Sequence, residues 1–456
     1  MKLVKSLLLG SAAGFAAVAG AQAADLPSRK AAPVEYVRVC SAYGAGFFYI
    51  PGTETCLRVG GRVRAEYVVG ERFGESDSYG TRARGRLNID ARTATAYGTL
   101  RTFIRYELTN NSGMYNNGSG GFNVGGNVAG FFTSAASTVA TSNVDLAFVQ
   151  FGPITAGRAQ SFFDFYASDF NFFSIRTADT RLNLLAYTAT FGSGFSATIS
   201  LEDRVSGTGT GGGRDLGVGS LAGAGLVRQG QDYPDLIGSL RVDQGWGSAQ
   251  LSGAIGNRKG AAAAALGAVE GDEFAWAIQG GVKINLPMLA AGDQLFLQAA
   301  YADGALGYLG YTGSGVGAFG LGRIGNLALF DTALNTVTGS MKNSTGYSLV
   351  AAFRHFWTPT LRSEISASYS ELKLGYVTPG TVGLQRSMDP KEFIAAANLI
   401  WSPVSGLDIG VEVLYSNLQL RQPVVAVDNF GARSNAARLI KSEDTIAGRL
   451  RIQRDF

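Results

Sequence analysis

Past its first roughly thirty residues, the chain has no run of about 18 apolar residues, so its sequence supplies no helix able to cross a bilayer. Charge is also scarce. Only 16% of the 456 residues are Asp, Glu, Lys or Arg, and the formal net charge is +4. Taking away Lys2 and Lys5 leaves +2, too small an excess for a nucleic-acid binder. The single histidine, His355, cannot build the usual zinc cluster. It shares strand parity with Phe353 and Trp357, which makes it an interfacial girdle residue rather than the partner of a nucleophilic serine. The stretch GTGTGGGR at 207–214 lacks the Gly-Lys-Ser/Thr ending of a phosphate loop. No catalytic residue, metal or cofactor is therefore expected, and the chain does not read as an enzyme.

The N-terminus has the layout of a secretory signal. Lys2 and Lys5 form the charged region, Leu7 to Gly20 a short apolar core, and Ala21-Gln22-Ala23 a small-x-small cleavage site. Residues 1–23 are expected to be removed, and the mature chain to start near Ala24. The abundance of hydrophobic and aromatic residues, 46% and 11%, together with 63 glycines, fits a secreted all-β protein. Two cysteines in an oxidising compartment default to a disulfide, and Cys40 and Cys56 close a short loop. Chain entropy gives such a closure about 3 kcal/mol. The 24–56 stretch is expected to form an N-terminal segment on the periplasmic side, carrying this disulfide hairpin.

From Leu57 onward the dominant pattern has period two. In CLRVGGRVRAEY, Leu57, Val59, Val63, Ala65 and Tyr67 alternate with Arg58, Arg62, Arg64 and Glu66. In RARGRLNIDAR, Arg82, Arg84, Arg86, Asn88, Asp90 and Arg92 share one face. In RLRIQRDF, Leu450, Ile452 and Phe456 oppose Arg449, Arg451, Gln453 and Asp455. Sixteen candidate strands of this kind run from 57–67 to 444–456, among them 153–160, 246–256, 272–285 and 406–418. Many have about ten residues, enough for a tilted strand to cross hydrocarbon.

Connections alternate in length. Seven short ones follow the even-numbered strands. Eight long ones follow the odd-numbered strands, including 109–142, 204–233, 257–271, 304–343 and 419–443. A soluble sandwich has no reason to sort its loops in this way, and nothing in the sequence supplies a second layer to bury the apolar faces. A transmembrane barrel sorts its connections in this manner. The expected fold is all-β: a 16-stranded antiparallel transmembrane β-barrel over 57–456. Its short turns would be periplasmic and its long loops extracellular, with no free strand edge.

The stretches VCSAYGAGFFYIPGTETCLRVGGRVRAEY and TAGRAQSFFDFY resemble the alpha-proteobacterial outer-membrane porins, the Brucella-type general porins. The resemblance extends over the whole chain, from MKLVKSLLLG and ADLPSRKAAP to the terminal Phe456. It implies a barrel in the bacterial outer membrane, exported through the periplasm and assembled as a homotrimer among lipid and lipopolysaccharide. The expected function is passive diffusion of small hydrophilic solutes and ions. The resemblance also implies that Phe456 belongs to a C-terminal signal read by the outer-membrane assembly machinery, and that the loop after TAGRAQSFFDFY folds into the pore. A substrate-selective outer-membrane channel is the alternative function.

Passage chemistry is then expected on the inward parity of the first three strands. Arg58, Arg62, Arg64, Arg82, Arg84, Arg86, Arg92, Arg101 and Arg105 lie there against only Glu66, Asp90 and Glu107. Like charges this close repel and persist best opposite acids. The connection 161–180, SFFDFYASDFNFFSIRTADT, carries Asp164, Asp169 and Asp179 among six phenylalanines, too apolar to sit in water. It is expected to fold inward as a constriction loop, its aspartates facing Arg62, Arg64, Arg82, Arg84, Arg86, Arg101 and Arg105 across a transverse field.

Overall fold

The computed structural model describes residues 38–70, 78–117, 139–205, 213–220, 228–264, 267–311, 329–376, 378–379, 385–386, 388–427 and 437–456. The expected signal sequence 1–23, residues 24–37 of the segment after it, and the Gly-rich 207–212 lie outside these residues. The chain divides into two compact units between Cys56 and Leu57. In the first, the Cys40–Cys56 disulfide joins Cα atoms 5.9 Å apart. Both cysteines are buried with Phe47, with Tyr43 and Tyr49 packed against them.

The second unit is a closed barrel of sixteen antiparallel strands: β1 (Thr55–Gly70), β2 (Tyr79–Thr95), β3 (Gly98–Gly113), β4 (Val139–Phe151), β5 (Ile154–Gln160), β6 (Arg181–Gly192), β7 (Phe195–Glu202), β8 (Asp235–Gln244), β9 (Gly247–Ala264), β10 (Gly267–Asn285), β11 (Gln294–Asp303), β12 (Thr345–Thr358), β13 (Leu361–Lys373), β14 (Lys391–Val404), β15 (Leu407–Val427) and β16 (Ala437–Asp455). Each strand pairs with its neighbours in sequence, and β16 returns to β1 in register from Arg62↔Asp455 to Gly70↔Ala447. Among the described residues the barrel wall closes on itself, pairing each strand on both sides over the shared span, which is what a β-structure needs in a medium without water.

Alternation sorts the side chains between two surroundings. On β10, Phe274, Trp276 and Ile278 point outward and are 58%, 37% and 46% exposed, while Ala275, Ala277 and Gln279 between them are buried. On β16, Ile446, Leu450 and Ile452 face out, and Arg449 and Gln453 face in. An apolar surface that wraps the whole barrel is far larger than a soluble monomer leaves in water. Aromatic residues band it at two levels. Tyr97, Phe151, Phe191, Phe195, Trp246, Trp357, Trp401 and Phe456 lie at the short-turn end, and Tyr67, Phe274, Tyr301, Phe393 and Tyr415 toward the other. Such girdles mark the two interfaces of a membrane. His355 belongs to the first of these levels, stacked near Phe353 and edge-on to Trp357.

Six of the short turns have two residues, among them Ser193-Gly194 and Gly245-Trp246, and the seventh spans 286–293. Gly194 takes φ 77°, and a Cβ there would collide with the Asp243 carbonyl, so this turn needs glycine. Two connections expected to be long are not. β9 continues to Ala264 and β10 resumes at Gly267, and β15 and β16 extend through most of 419–443. Beyond the membrane no lipid selects apolar residues for the outer face, so hydrophobic alternation stops while backbone pairing carries on. Arg258 there is buried and pairs with Asp235 and Asp331, and Lys259 stands opposite Asp272 across the β9–β10 pair.

At the long-connection end, loops fold back over the lumen. Leu216, Leu306, Leu309, Tyr311, Leu329 and Phe330 are buried with the inward-facing Ala254, Ala277 and Ala302. A small sheet ties them together, with Thr332–Leu334 between Val218–Ser220 and Met341–Asn343.

Candidate pore site

The loop 161–180 leaves β5 and follows the inner wall around the barrel, held by polar side chains from successive strands. The Phe163 carbonyl accepts from Ser252 Oγ on β9 (2.8 Å) and Gln279 Nε2 on β10 (2.8 Å). Tyr166 N donates to Gln298 on β11 (2.9 Å), and Asn398 on β14 donates to the Phe170 carbonyl (2.8 Å). The Glu412 carboxylate on β15 accepts from the backbone N–H of both Phe172 and Phe173. Arg449 and Arg451 on β16 donate to the Phe172 carbonyl. These strand positions alternate with lipid-facing ones, so the same period-two pattern that greases the outside supplies the loop's anchors inside. The phenylalanines explain the loop's composition: Phe163, Phe165, Phe170 and Phe173 are buried against Tyr308, Phe296 and the wall.

The arginines of β1–β3 line the wall as a charged lattice. Arg82 Nε donates to Glu66 (2.6 Å), and Arg451 reaches the same carboxylate (2.7 Å). Arg86 Nε donates to Glu107 (2.7 Å), whose other oxygen lies 3.6 Å from Arg84. Arg101 and Arg92 both hold Asp90. Arg105 binds Asn88 (3.0 Å) and Asp145 (3.4 Å). Arg62 pairs with Asp455 (2.6 Å), and Arg64 donates to the neutral Gln453 (2.9 Å). Much of the compensation for the arginines thus comes from Glu66, Asp90, Glu107 and Asp145 within the same wall. The arginines still outnumber these acids.

The three loop aspartates have separate surroundings. Asp164 is buried, paired with Arg214 from the 213–220 segment and accepting from Thr180 N (2.8 Å). Asp179 is half-buried, 3.2 Å from Arg181 and within reach of Gln160 (3.3 Å). Burial pushes its carboxyl up to about 6, against the pull of Arg181. Asp169 is exposed toward the lumen, and partial desolvation of its carboxylate by the surrounding walls raises its pKa, opposed by Arg354.

Asp169 lines a recess of about 150 Å³ beneath the loop tip, together with Arg62, Arg64, Arg354, Arg362 and Arg451. Arg354 and Arg362, on β12 and β13, were not among the arginines expected from the sequence. Each occupies the polar parity of its strand, but neither lies in a run of arginines that would draw attention. Asp145 was missed for a different reason. A bulge between Arg105 and Tyr106 shifts the β3–β4 register, turning Asp145 inward.

A closed sixteen-stranded barrel with an apolar outside, a charged inside and a loop laid along its inner wall is the architecture of a transmembrane barrel of the bacterial outer membrane. The chain belongs to the porin subfamily, whose family model matches residues 25–448. It is 39% identical to Porin Omp2b of Brucella suis biovar 1 over 253 residues, covering 54% of this chain and 64% of that protein. It is 36% identical to Porin Omp2b of Brucella suis over 320 residues, covering 66% of this chain and 75% of the relative. In fold it is similar to the outer membrane channel DcaP of Acinetobacter baumannii, with a TM-score of 0.58 at 14% identity, covering 90% of this chain and 99% of that one. The protein is a multi-pass outer-membrane protein, and its family points to a channel rather than an enzyme.

Proposed function

We propose that the protein is a porin, a water-filled channel through which small hydrophilic solutes and ions diffuse passively. The reading is carried by the division of surfaces around the barrel: alternate residues of the strands meet lipid on one side and a charged lumen on the other. The loop 161–180 narrows the lumen from the β9–β15 side, leaving the arginine wall of β1–β3 to face the passage. Excess guanidinium in that wall favours anions, with Asp169 and Asp179 opposing it. Reconstituted in planar bilayers, the purified protein is expected to give discrete ohmic steps, and in liposomes graded permeation of sugars by size. A bilayer that stays silent at saturating protein would overturn the reading.

The working unit is proposed to be a homotrimer. β5 and β7 have seven and eight residues, short of the roughly 9–11 that a tilted strand needs to cross hydrocarbon. A neighbouring copy would shield that low wall from lipid. Native mass in detergent checks this, and a monomeric mass would remove it. Residues 1–23 act as a cleaved export signal, and the strand ending at Phe456 is read by the assembly machinery. Lipid and lipopolysaccharide surround the outer face.

A further inference from the structure

We infer that the recess beneath the loop tip is a binding subsite for small organic carboxylates, making the channel selective among anions. The inference rests on the channel reading above and names a solute class for it. Arg62, Arg64, Arg354, Arg362 and Arg451 surround the recess. Four of them are committed to carboxylates: Arg62 to Asp455, Arg354 to Glu364, Arg362 to Glu364 and Asp408, and Arg451 to Glu66. Arg64 differs. Its Nε is held by the neutral Gln453 at 2.9 Å, and among the described residues no carboxylate lies within ion-pair distance and neither Nη group has a protein partner. A guanidinium oriented through Nε, with its terminal edge free, presents the two-pronged donor that matches a carboxylate.

The rest of the lining is mixed: the Asp169, Glu364 and Asp408 carboxylates stand beside a small apolar patch. Phe170, Phe172 and Ile400 form that patch, and Gly410 leaves the space where a Cβ would stand 2.8 Å from the Phe172 ring. Arg354 stacks over Phe170 and Arg451 over Phe172, which fixes both rings and both guanidiniums. Five arginines against three carboxylates leave the recess net positive, and the free Arg64 edge beside the small Phe170–Phe172–Ile400 patch suits a molecule with one anionic end and a short hydrocarbon body. An inorganic anion would use only the first half. The volume, about 150 Å³, is of the order that admits a benzene-sized body.

The test uses the intact protein in planar bilayers. Butyrate is added at neutral pH and the current is expressed as a fraction of each variant's own open-channel value. Butyrate is expected to reduce wild-type current with a saturating concentration dependence. Butyramide, the same shape without charge, and formate, the same charge without the body, are each expected to need at least tenfold more. Arg64→Gln is expected to raise the half-blocking concentration of butyrate about tenfold, and Arg64→Lys to fall between. Equal block by butyramide, or an unchanged butyrate curve in Arg64→Gln, would overturn the subsite. If formate or phosphate blocks as well as butyrate, the site is a plain anion trap and the carboxylate assignment fails. Absence of any conductance would instead sink the channel reading itself.

Discussion

Gly61 and Phe456 close the barrel by exchanging backbone hydrogen bonds, Gly61 N to the Phe456 carbonyl at 2.9 Å and Phe456 N to the Gly61 carbonyl at 3.0 Å. The Phe456 ring lies over Gly61, where a Cβ would stand 2.6 Å from ring atom Cζ and collide with the Arg86 carbonyl. An aromatic covering a strand glycine pins register at the seam. Gly61→Ala is therefore expected to destabilise the folded barrel by about 1–3 kcal/mol. Gly85→Ala, on the neighbouring strand with open space at its Cβ position, should be neutral or slightly stabilising. Urea-dependent unfolding in lipid vesicles, followed by gel mobility of unheated samples, compares the two. Equal behaviour would show that the seam relaxes around the extra methyl.

Replacing Arg82, Arg84 and Arg86 together by glutamine should shift the reversal potential in a salt gradient toward cations. The net change is three charges, and it leaves Glu107 without its Arg84 and Arg86 partners and Glu66 without Arg82, so unscreened carboxylates then face the passage. An unchanged potential would remove these residues from the ion path.

Asp164 and Arg214 are both fully buried, one on the inner loop and the other on a segment from the long-connection end. Removing one member of such a pair strands the other charge, at a cost of about 3–5 kcal/mol. Arg214→Gln should therefore loosen the loop, seen as increased open-channel current noise and earlier unfolding. The double variant Arg214→Met with Asp164→Leu should recover most of both. Failure of the double variant to recover would mean that the charges themselves, rather than their pairing, hold the loop.

Asp179, raised to about 6 by burial, is ionised at pH 7 and neutral at pH 5. Acidification removes a negative charge from beside Arg181, so anion preference should rise as pH falls through about 6. Asp179→Asn should hold the acidic value at both pH values. Reversal potentials measured between pH 5 and 7 decide this, and a titration that persists in Asp179→Asn would assign it to another group.

Ile278 and Gln279 are adjacent on β10, one facing lipid and the other buried on the inner side. Ile278→Arg should cost about 2–4 kcal/mol if placed near the bilayer midplane. A cost near zero in vesicle refolding would argue that this face meets water.

The strand count and the two-sided character of each strand were legible in the sequence because side-chain direction in a β-strand is set by the backbone alone. Arg64 and Val63 must point to opposite faces wherever the strand lies. The lengths of the β9–β10 and β15–β16 hairpins were less legible, because backbone pairing beyond the membrane needs no alternation and so leaves no trace in residue type.

The sequence by itself determined that arginines would crowd one wall and aspartates one loop, since both follow from parity and composition. Only the tertiary structure decided how they are neutralised. Glu66 collects Arg82 and Arg451 from strands at opposite ends of the chain, Asp145 turns inward through a bulge, and Asp164 meets Arg214 rather than the wall. Cross-strand pairing and loop course depend on which backbones lie side by side after closure, and residue order does not encode that locally.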